Sequence, residues 1–544
     1  MLRAEFSGYN ASKLIKDLLA GLTVAAVALP LALAFGVASG ATAASGLVTA
    51  IIAGIVISAL SGASFQISGP TGAMSAVLIG IASTVGLNGV FWVCFIAGIL
   101  LLVCGIFKMG GLVKLIPRPV ITGFTSGIAV IIALGQVDNF FGTASEGESA
   151  IAKLISYGTL GFKPHLWTVI LGLIVVAIMI IWPKKWNARV PSSLVGIIVA
   201  TVIYVIFRFD GVATVGEIPK TLFLSERLSF SGFSFDMLKT LISPALTVAA
   251  LGMIESLLCG ASASRMKNEP FDANIELIGQ GIGNVLLPFF GGVPATAAIA
   301  RTSVAIKSGA QTRLTGIFHA LWLLAAMFLL GNVMALVPMP ALAGVLMVTA
   351  WRMNEWHAIK YIFKKKFIGA ILQFLITMIA TVVFDLTIAI IIGIIFSLMV
   401  FVKNAAHLEA ASAEVSRERL LARGELGAGH DNSVVVYVTG DVFFANIGKL
   451  TAKLDTLSGY DEIIISLRGV PDIDITSVET LGEYADEFAK CGKRIIFCGM
   501  SDTVKKVFGK SGILGDGHGA SACATIDSVL LDNTVCVEQI PVTK

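Results

Sequence analysis

The chain has 544 residues, 56% of them hydrophobic and only 14% charged, with a mean hydropathy of +0.88, so most of it is too apolar for a water-soluble globule and reads as a polytopic α-helical membrane protein in a lipid bilayer. A formal net charge of +4 gives no reason to expect nucleic-acid binding, and the basic residues act instead as topology markers. Seven cysteines without a Cys-x-x-Cys pair or a histidine cluster predict reduced thiols, no metal site and no disulfide framework; no cofactor is expected.

The first apolar run, about Leu18 to Val37, follows Lys13 and Lys16. It has the outline of a signal peptide, but it is long enough to span and a second span follows within a few residues. At about 20 apolar residues per span, spans fall near 16–37, 43–61, 70–86, 89–107, 119–137, 166–182, 191–207, 238–263, 275–290, 294–308, 313–330, 333–350, 367–384 and 386–402. That makes about fourteen. The segments 70–86 and 294–308 are too short to cross ~30 Å of hydrocarbon at ~1.5 Å per residue. Each follows a chain-breaking run, Ser68-Gly69-Pro70-Thr71 and Gly291-Gly292-Val293-Pro294. Both read as half-helices starting inside the membrane, where free N–H groups and the positive dipole end favour an anion.

With a cytoplasmic amino terminus, Lys and Arg favour the inner loops by about three to one. Both termini are therefore expected in the cytoplasm of a cell whose plasma membrane holds the protein. The half-helix openings recur at the third and tenth spans, an odd separation, which marks a 7+7 inverted repeat. Small residues line one face of the first span (Gly21, Ala25, Ala28, Ala32, Gly36) and of the eighth (Ala249, Gly252, Ser256, Cys259, Ala263), allowing close helix approach.

Ionisable groups deep in a span are costly and mark function. Glu255 lies mid-span in the eighth segment and Arg301 within the tenth, whereas Asp138, Asp385 and Lys403 fall at predicted ends. Arg301 follows Pro294 by nearly two turns, so a helix starting at the proline would lean the guanidinium over residues 297 to 298, near the dipole end. The two charges read either as a structural ion pair or as an anion site in which Glu255 couples uptake to a proton. Thr71, Ser75 and Thr296 place hydroxyls near the openings, and Phe35 on the first span is placed to wall the pocket.

After Lys403 a polar linker, 405–430, leads into a tail domain, 431–544, with residues 1–404 forming the transporter domain. In the tail, 433–439, 462–467 and 494–498 read as strands and 446–457, 477–490 and 502–510 as helices, a small α/β domain. Asp474 or Thr476 is a natural N-cap, and a hydroxyl at that position makes Thr476 a candidate regulatory phosphosite. The Gly-rich run 512–519 has no Lys-Ser/Thr and no strand before it, which argues against nucleotide binding there. No nucleophile–base pair or metal cluster suggests an enzyme.

Asp17-Leu18-Leu19-Ala20-Gly21-Leu22-Thr23 with Leu29-Pro30, Ser68-Gly69-Pro70-Thr71, and Pro294 through Arg301-Thr302 together make the chain resemble the SulP anion permeases, relatives of prestin and pendrin. The tail resembles a STAS domain. The resemblance implies a core of spans 1 to 4 and 8 to 11 moving in an elevator-like cycle against a gate of spans 5 to 7 and 12 to 14, commonly in a homodimer. It places Phe35, Thr71 and Arg301 at the anion pocket, with the N–H groups around Gly72, Ala73, Ala297 and Ala298.

Sodium-coupled bicarbonate members of that family carry an Asp where this chain has Glu255, a Thr at Cys259 and another at Ile299. Losing those oxygens removes hard ligands that sodium needs, so the resemblance points to a proton as the coupling ion. Ala300 replaces a Ser of the electromotile relatives. The leading expectation is a proton-coupled transporter of a small anion such as sulfate, bicarbonate or a dicarboxylate. The alternatives are a nucleobase–proton symporter of the same fold, against which Arg301 argues, and a membrane-tethered regulator whose tail binds partner proteins.

Overall fold

The computed structural model describes residues 5–111, 116–147, 150–183, 186, 190–230, 235–384, 386–415, 432–514 and 518–531. Asp385, residues 416–431 of the expected linker and its junction, 515–517 of the Gly-rich run and the tail beyond 531 lie outside them. The chain divides into two compact units, Met1–Phe396 and Ser397–Lys544.

The first unit is helical. Its elements in chain order are α1 (Ala11–Ala38), α2 (Ala43–Leu60), β1 (Ser68–Gly69), α3 (Gly72–Ile106), α4 (Arg118–Gly135), α5 (Val137–Phe141), α6 (Ala150–Leu160), α7 (Leu166–Ile181) and α8 (Ser192–Phe207). There follow α9 (Phe235–Lys267), α10 (Ala273–Leu286), β2 (Thr296–Ala297), α11 (Ile299–Lys307), α12 (Leu314–Met334), α13 (Met339–Met353), α14 (Trp356–Lys364), α15 (Ile368–Val383) and α16 (Leu386–Ala405), whose residues from Ser397 onward belong to the second unit. Among the described residues, six helices are long and apolar enough to cross a bilayer, and four shorter apolar ones accompany them.

Side chains cap some of these helix starts. The Asn10 side chain accepts from Lys13 N (3.0 Å) to open α1, and Asp272 accepts from Asn274 N and Ile275 N to open α10. Within Gly72–Ile106 the helix is interrupted at Gly86, whose φ of 78° only glycine adopts freely, so two helices meet there, in the places where spans were expected at 70–86 and 89–107. The small-residue stripe of α1 works as a contact face. A Cβ on Gly21 would stand 2.8 Å from Phe318 Cβ of α12, and one on Gly46 of α2 only 2.0 Å from the Ala32 carbonyl oxygen.

A buried carboxylate ties α1 to α12. Asp17, fully buried, accepts from Gln311 N (2.6 Å), Thr312 N (3.1 Å), Thr312 Oγ1 (2.7 Å), Thr315 Oγ1 (2.7 Å) and Tyr9 Oη (2.8 Å). It serves the orphan amides at the head of α12 and complements the helix dipole.

The second unit holds β3 (Glu409–Glu414), β4 (Ser433–Thr439), α17 (Ile447–Asp455), β5 (Glu462–Gly469), α18 (Ile475–Lys490), β6 (Arg494–Cys498), α19 (Asp502–Ser511), β7 (Ala520–Cys523) and α20 (Ile526–Leu531). The sheet order is β3-β4-β5-β6-β7, parallel except for the antiparallel edge pair β3 and β4. Helices α17, α18 and α19 pack on one face through Leu450, Leu481 and Phe508 against Val436, Ile465 and Phe497. Val529 of α20 joins Val435, Ile464 and Ile496 on the other. Burial on both faces explains why the central strands are apolar runs without alternation. Residues 409–414 were expected in a linker and are strand β3, a mostly exposed Glu-Ala-Ala-Ser-Ala-Glu run whose terminal charges suit an edge strand.

Candidate functional site

The two chain breaks meet. Ser68 lies opposite Ala297 and Gly69 opposite Thr296 in an antiparallel β1–β2 pair, extended by a bond from Ala298 N to the Ile67 carbonyl (2.9 Å). Pro70 and Thr71 then turn the chain into α3, and Ala298 turns it into α11. Because the strands are antiparallel, the two helices are entered in opposed senses, as an inverted repeat requires.

Asn284 of α10 holds one strand from behind, taking Ala295 N on Oδ1 (2.8 Å) and giving Nδ2 to the Ala295 carbonyl (2.9 Å). Gln280 donates to Ser68 Oγ (2.9 Å) and to Glu276 Oε1 (2.8 Å). The stripe on α9 supplies further contacts. Ser256 Oγ lies 2.8 Å from Thr296 Oγ1, and Cys259 Sγ lies 3.3 Å from Thr302 Oγ1.

Neither helix is capped by a side chain. The first i→i−4 bond of α3 is Ser75 N to Thr71 O (3.0 Å), and that of α11 is Thr302 N to Ala298 O (2.9 Å). The first-turn amides are therefore those of Gly72, Ala73 and Met74 in α3, and of Ile299, Ala300 and Arg301 in α11. Two such ends side by side make a region that rewards negative charge. Phe35 and Ile132 close over the head of α3. A Cβ on Gly72 would meet Ile132 Cδ1 at 2.5 Å and Phe35 Cε1 at 3.1 Å. At the head of α11, by contrast, Ile299 is 47% exposed.

Several expectations are corrected here. The tenth segment becomes helical at Ile299, not at Pro294, because residues around 296–298 are drawn into pairing with 67–69. The amides of Ala297 and Ala298 are consequently engaged: Ala298 N with Ile67 O, and Ala297 N with Ser256 Oγ (3.4 Å). Arg301 is the third residue of α11, and its guanidinium reaches across to the other break. Nη2 donates to the Pro70 carbonyl oxygen (2.8 Å), and Nη1 lies 2.5 Å from where a Gly69 Cβ would be.

The ion pair of Glu255 with Arg301 does not form. Thr71 Oγ1 donates to Glu255 Oε2 (3.0 Å), so the carboxylate is tied to one half-helix head while the guanidinium braces its carbonyl. The Ser75 hydroxyl sits 3.0 Å from Thr71 O and 3.1 Å from Phe35 O, inside the turn. In the tail unit Asp474 takes the N-cap of α18, accepting from Ser477 N (2.9 Å) and Phe444 N (2.9 Å). Thr476 is exposed one residue inside the helix. Sequence reading missed Gly69, the Pro70 carbonyl and Ile132 as parts of this arrangement; the Gly69-Pro70 dipeptide was read as a breaker, which gave no hint of its contact with Arg301.

The sulfate permease family pattern matches residues 14–380 and the STAS domain pattern residues 428–520. The chain belongs to the sulfate permease family. It is thus a multi-pass membrane transporter homologue with a STAS tail, and not an enzyme. Among sulfate permease relatives, Bacillus subtilis (strain 168) YvdB, provisionally named a sulfate transporter, is 33% identical over 93% of this chain and 96% of its own length. The bicarbonate transporter BicA of Picosynechococcus sp. is 28% identical over 90% and 89%. The solved transmembrane domain of a cyanobacterial BicA covers 70% of this chain and 98% of its own at a TM-score of 0.65 and 31% identity. The murine Solute Carrier 26 family member A9 structure, inward-facing, shares the fold at a TM-score of 0.81 with 16% identity, covering 97% and 92%.

Proposed function

We propose that the chain is a secondary active transporter of small anions, of the sulfate, bicarbonate or dicarboxylate type, coupled to protons and working by elevator-like alternating access. The observation that carries this reading is the antiparallel junction of two uncapped helix heads with a fully buried arginine bridging them. Its relatives named for sulfate and bicarbonate transport agree with that chemistry.

In this reading the anion is held by the first-turn amides of Gly72 and Ala73 and by those of Ile299 and Ala300. Phe35 and Ile132 provide an apolar wall, and Thr71 orients Glu255. Arg301 contributes its charge from behind the Pro70 carbonyl. Glu255 is the coupling group: its hydrogen bond from the Thr71 hydroxyl links its charge state to the head of α3, where the anion sits. The reading includes a plasma-membrane homodimer with cytoplasmic termini.

Uptake of labelled sulfate, bicarbonate and fumarate into proteoliposomes, with and without an inward proton gradient, tests it. One of the three anions is expected to accumulate only with the gradient. No accumulation of any of them, or accumulation indifferent to the gradient, refutes the transport reading or its proton coupling respectively.

A further inference from the structure

Glu276, Gln280 and Asn284 stand four residues apart on α10, which puts them on one face of the helix, about 6 Å from each other along its axis. Each is no more than 1% exposed, and burying three such side chains is costly unless they are hydrogen-bonded. The helix that carries them is hemmed in on two sides. A Cβ on Gly281 would stand 2.6 Å from Leu102 N of α3, one on Gly279 would stand 3.1 Å from the Leu60 carbonyl of α2, and one on Gly283 would overlap the Ile57 side chain of α2. Backbones packed this closely leave the polar row no room to shift.

Each member of the row holds a different piece of the chain that leads to the two breaks. Glu276 Oε2 accepts from Ser61 Oγ (2.5 Å) and Gly62 N (3.0 Å) just past the end of α2. Asn284 holds Ala295, on the approach to β2, by two bonds. Gln280, between them, donates from Nε2 to Ser68 Oγ of β1 and to Glu276 Oε1, while its Oε1 has no partner among the described residues. The facing of that carboxamide is therefore set by its neighbour. A carboxylate oxygen accepts, so Glu276 calls for the amino group, and the second hydrogen of the same group is left for Ser68. Turning the amide over would bring its oxygen against the carboxylate and give up both bonds.

Ser68 lies opposite Ala297 in the β1–β2 pair, and the residues that flank it make the bonds that join the breaks: the Ile67 carbonyl takes Ala298 N, and the Pro70 carbonyl takes Arg301 Nη2. We propose that Gln280 is a positioning residue for the anion site, which through Ser68 sets where β1 stands against β2 and with it the placement of the α3 and α11 heads, Glu276 fixing the facing of its carboxamide. Both hydrogens of Nε2 are spent on protein, so Gln280 acts through Ser68 and not on the anion. The proposal rests on the reading of the two helix heads as the anion site.

The test is uptake kinetics of the full chain in proteoliposomes, with whichever of sulfate, bicarbonate and fumarate it accumulates, beside melting curves in detergent. Gln280→Met, of similar length but with no donor, is expected to raise KM about threefold to tenfold with Vmax little changed, the effect of one lost buried hydrogen bond. Ser68→Ala is expected to do the same, and the double variant no more than either single one, because both remove the same bond. Ser61→Ala takes a donor from Glu276 at the far end of the row; it is expected to lower the melting midpoint, as Gln280→Met does, and to leave KM unchanged. Single effects that multiply in the double variant, or a KM raised as much by Ser61→Ala as by Gln280→Met, overturn the proposal in favour of general loosening. If Arg301→Gln raises KM while Gln280→Met and Ser68→Ala do not, the positioning role is wrong and the site reading stands; if Arg301→Gln also leaves KM unchanged, the site reading itself fails. Should Gln280→Met fail to insert, Ser68→Ala against Ser61→Ala decides.

Discussion

Gly69→Ala isolates the contact between the two chain breaks. Gly69 has no positive φ, so alanine fits its backbone, and the effect is steric alone. The new Cβ would stand 2.5 Å from Arg301 Nη1 and 3.4 Å from Cζ, against about 3.5 Å for comfortable contact. The guanidinium must retreat by about 1 Å, which stretches the 2.8 Å bond from Nη2 to Pro70 O past hydrogen-bonding distance. Losing a hydrogen bond from a charged donor costs about 1.5–3 kcal/mol. If that cost falls on the anion-bound state, KM rises by roughly 10-fold to 100-fold; any part borne by the empty protein lowers its thermal midpoint. Uptake kinetics in proteoliposomes, with a melting curve in detergent, read both. Gly80→Ala, where nothing lies within 4 Å, is the matched control. If Gly69→Ala and Gly80→Ala behave alike in KM and in melting, Arg301 does not brace the α3 head.

Glu255→Gln keeps an acceptor for the Thr71 hydroxyl but removes the titrating charge, and is expected to flatten the pH dependence of uptake; an unchanged profile rules out coupling through this residue. Asp17→Ala strips the head of α12 of a carboxylate receiving five hydrogen bonds and should destabilise the first unit by about 3–5 kcal/mol, seen as poor recovery or a markedly lower melting point. Asp474→Ala removes the α18 cap, worth about 1 kcal/mol, and should speed hydrogen exchange of the amides of Ser477 and Phe444. Burial pushes the Asp474 carboxyl up, but hydrogen bonds from Ser477 and the Phe444 amide outweigh it and hold it below the usual carboxylate range. A depressed carboxyl adds stability that is complete above the unfolded value of about 3.9 and fades as pH falls through the folded value. The same amides should therefore lose protection in that acid window in the native chain and show no such step in Asp474→Ala.

Much of the helical layout was legible because apolar runs bounded by Gly, Pro and charge leave little freedom in a membrane. Spans expected at 43–61, 166–182 and 191–207 appear as Ala43–Leu60, Leu166–Ile181 and Ser192–Phe207. The onset of α11 was not legible. Thr296-Ala297-Ala298 carries no local reason to be extended, and what makes it so is a partner more than two hundred residues earlier. That displaced onset also misdirected Arg301: the lean toward the amino-terminal end was right in principle, but the helix starts five residues later. Glu255 and Arg301 were natural partners as charges alone, and only the fold reveals that a hydroxyl and a carbonyl reach them first. In the tail, β3 and β7 escaped notice because one, Glu-Ala-Ala-Ser-Ala-Glu, has no β-branched or large apolar residue and the other, Ala-Ser-Ala-Cys, is short and small.

The β1–β2 pairing has a mechanical meaning. Backbone bonds stitch together the starts of two helices drawn from the two halves of the sequence, so those starts cannot drift apart without breaking buried hydrogen bonds that no water is at hand to replace. In the alternating-access cycle proposed above, both positive ends would therefore move together as one rigid cradle. The cargo would then meet the same grip at departure and arrival, and the direction of travel would be set by gradients instead of by a change in how tightly it is held.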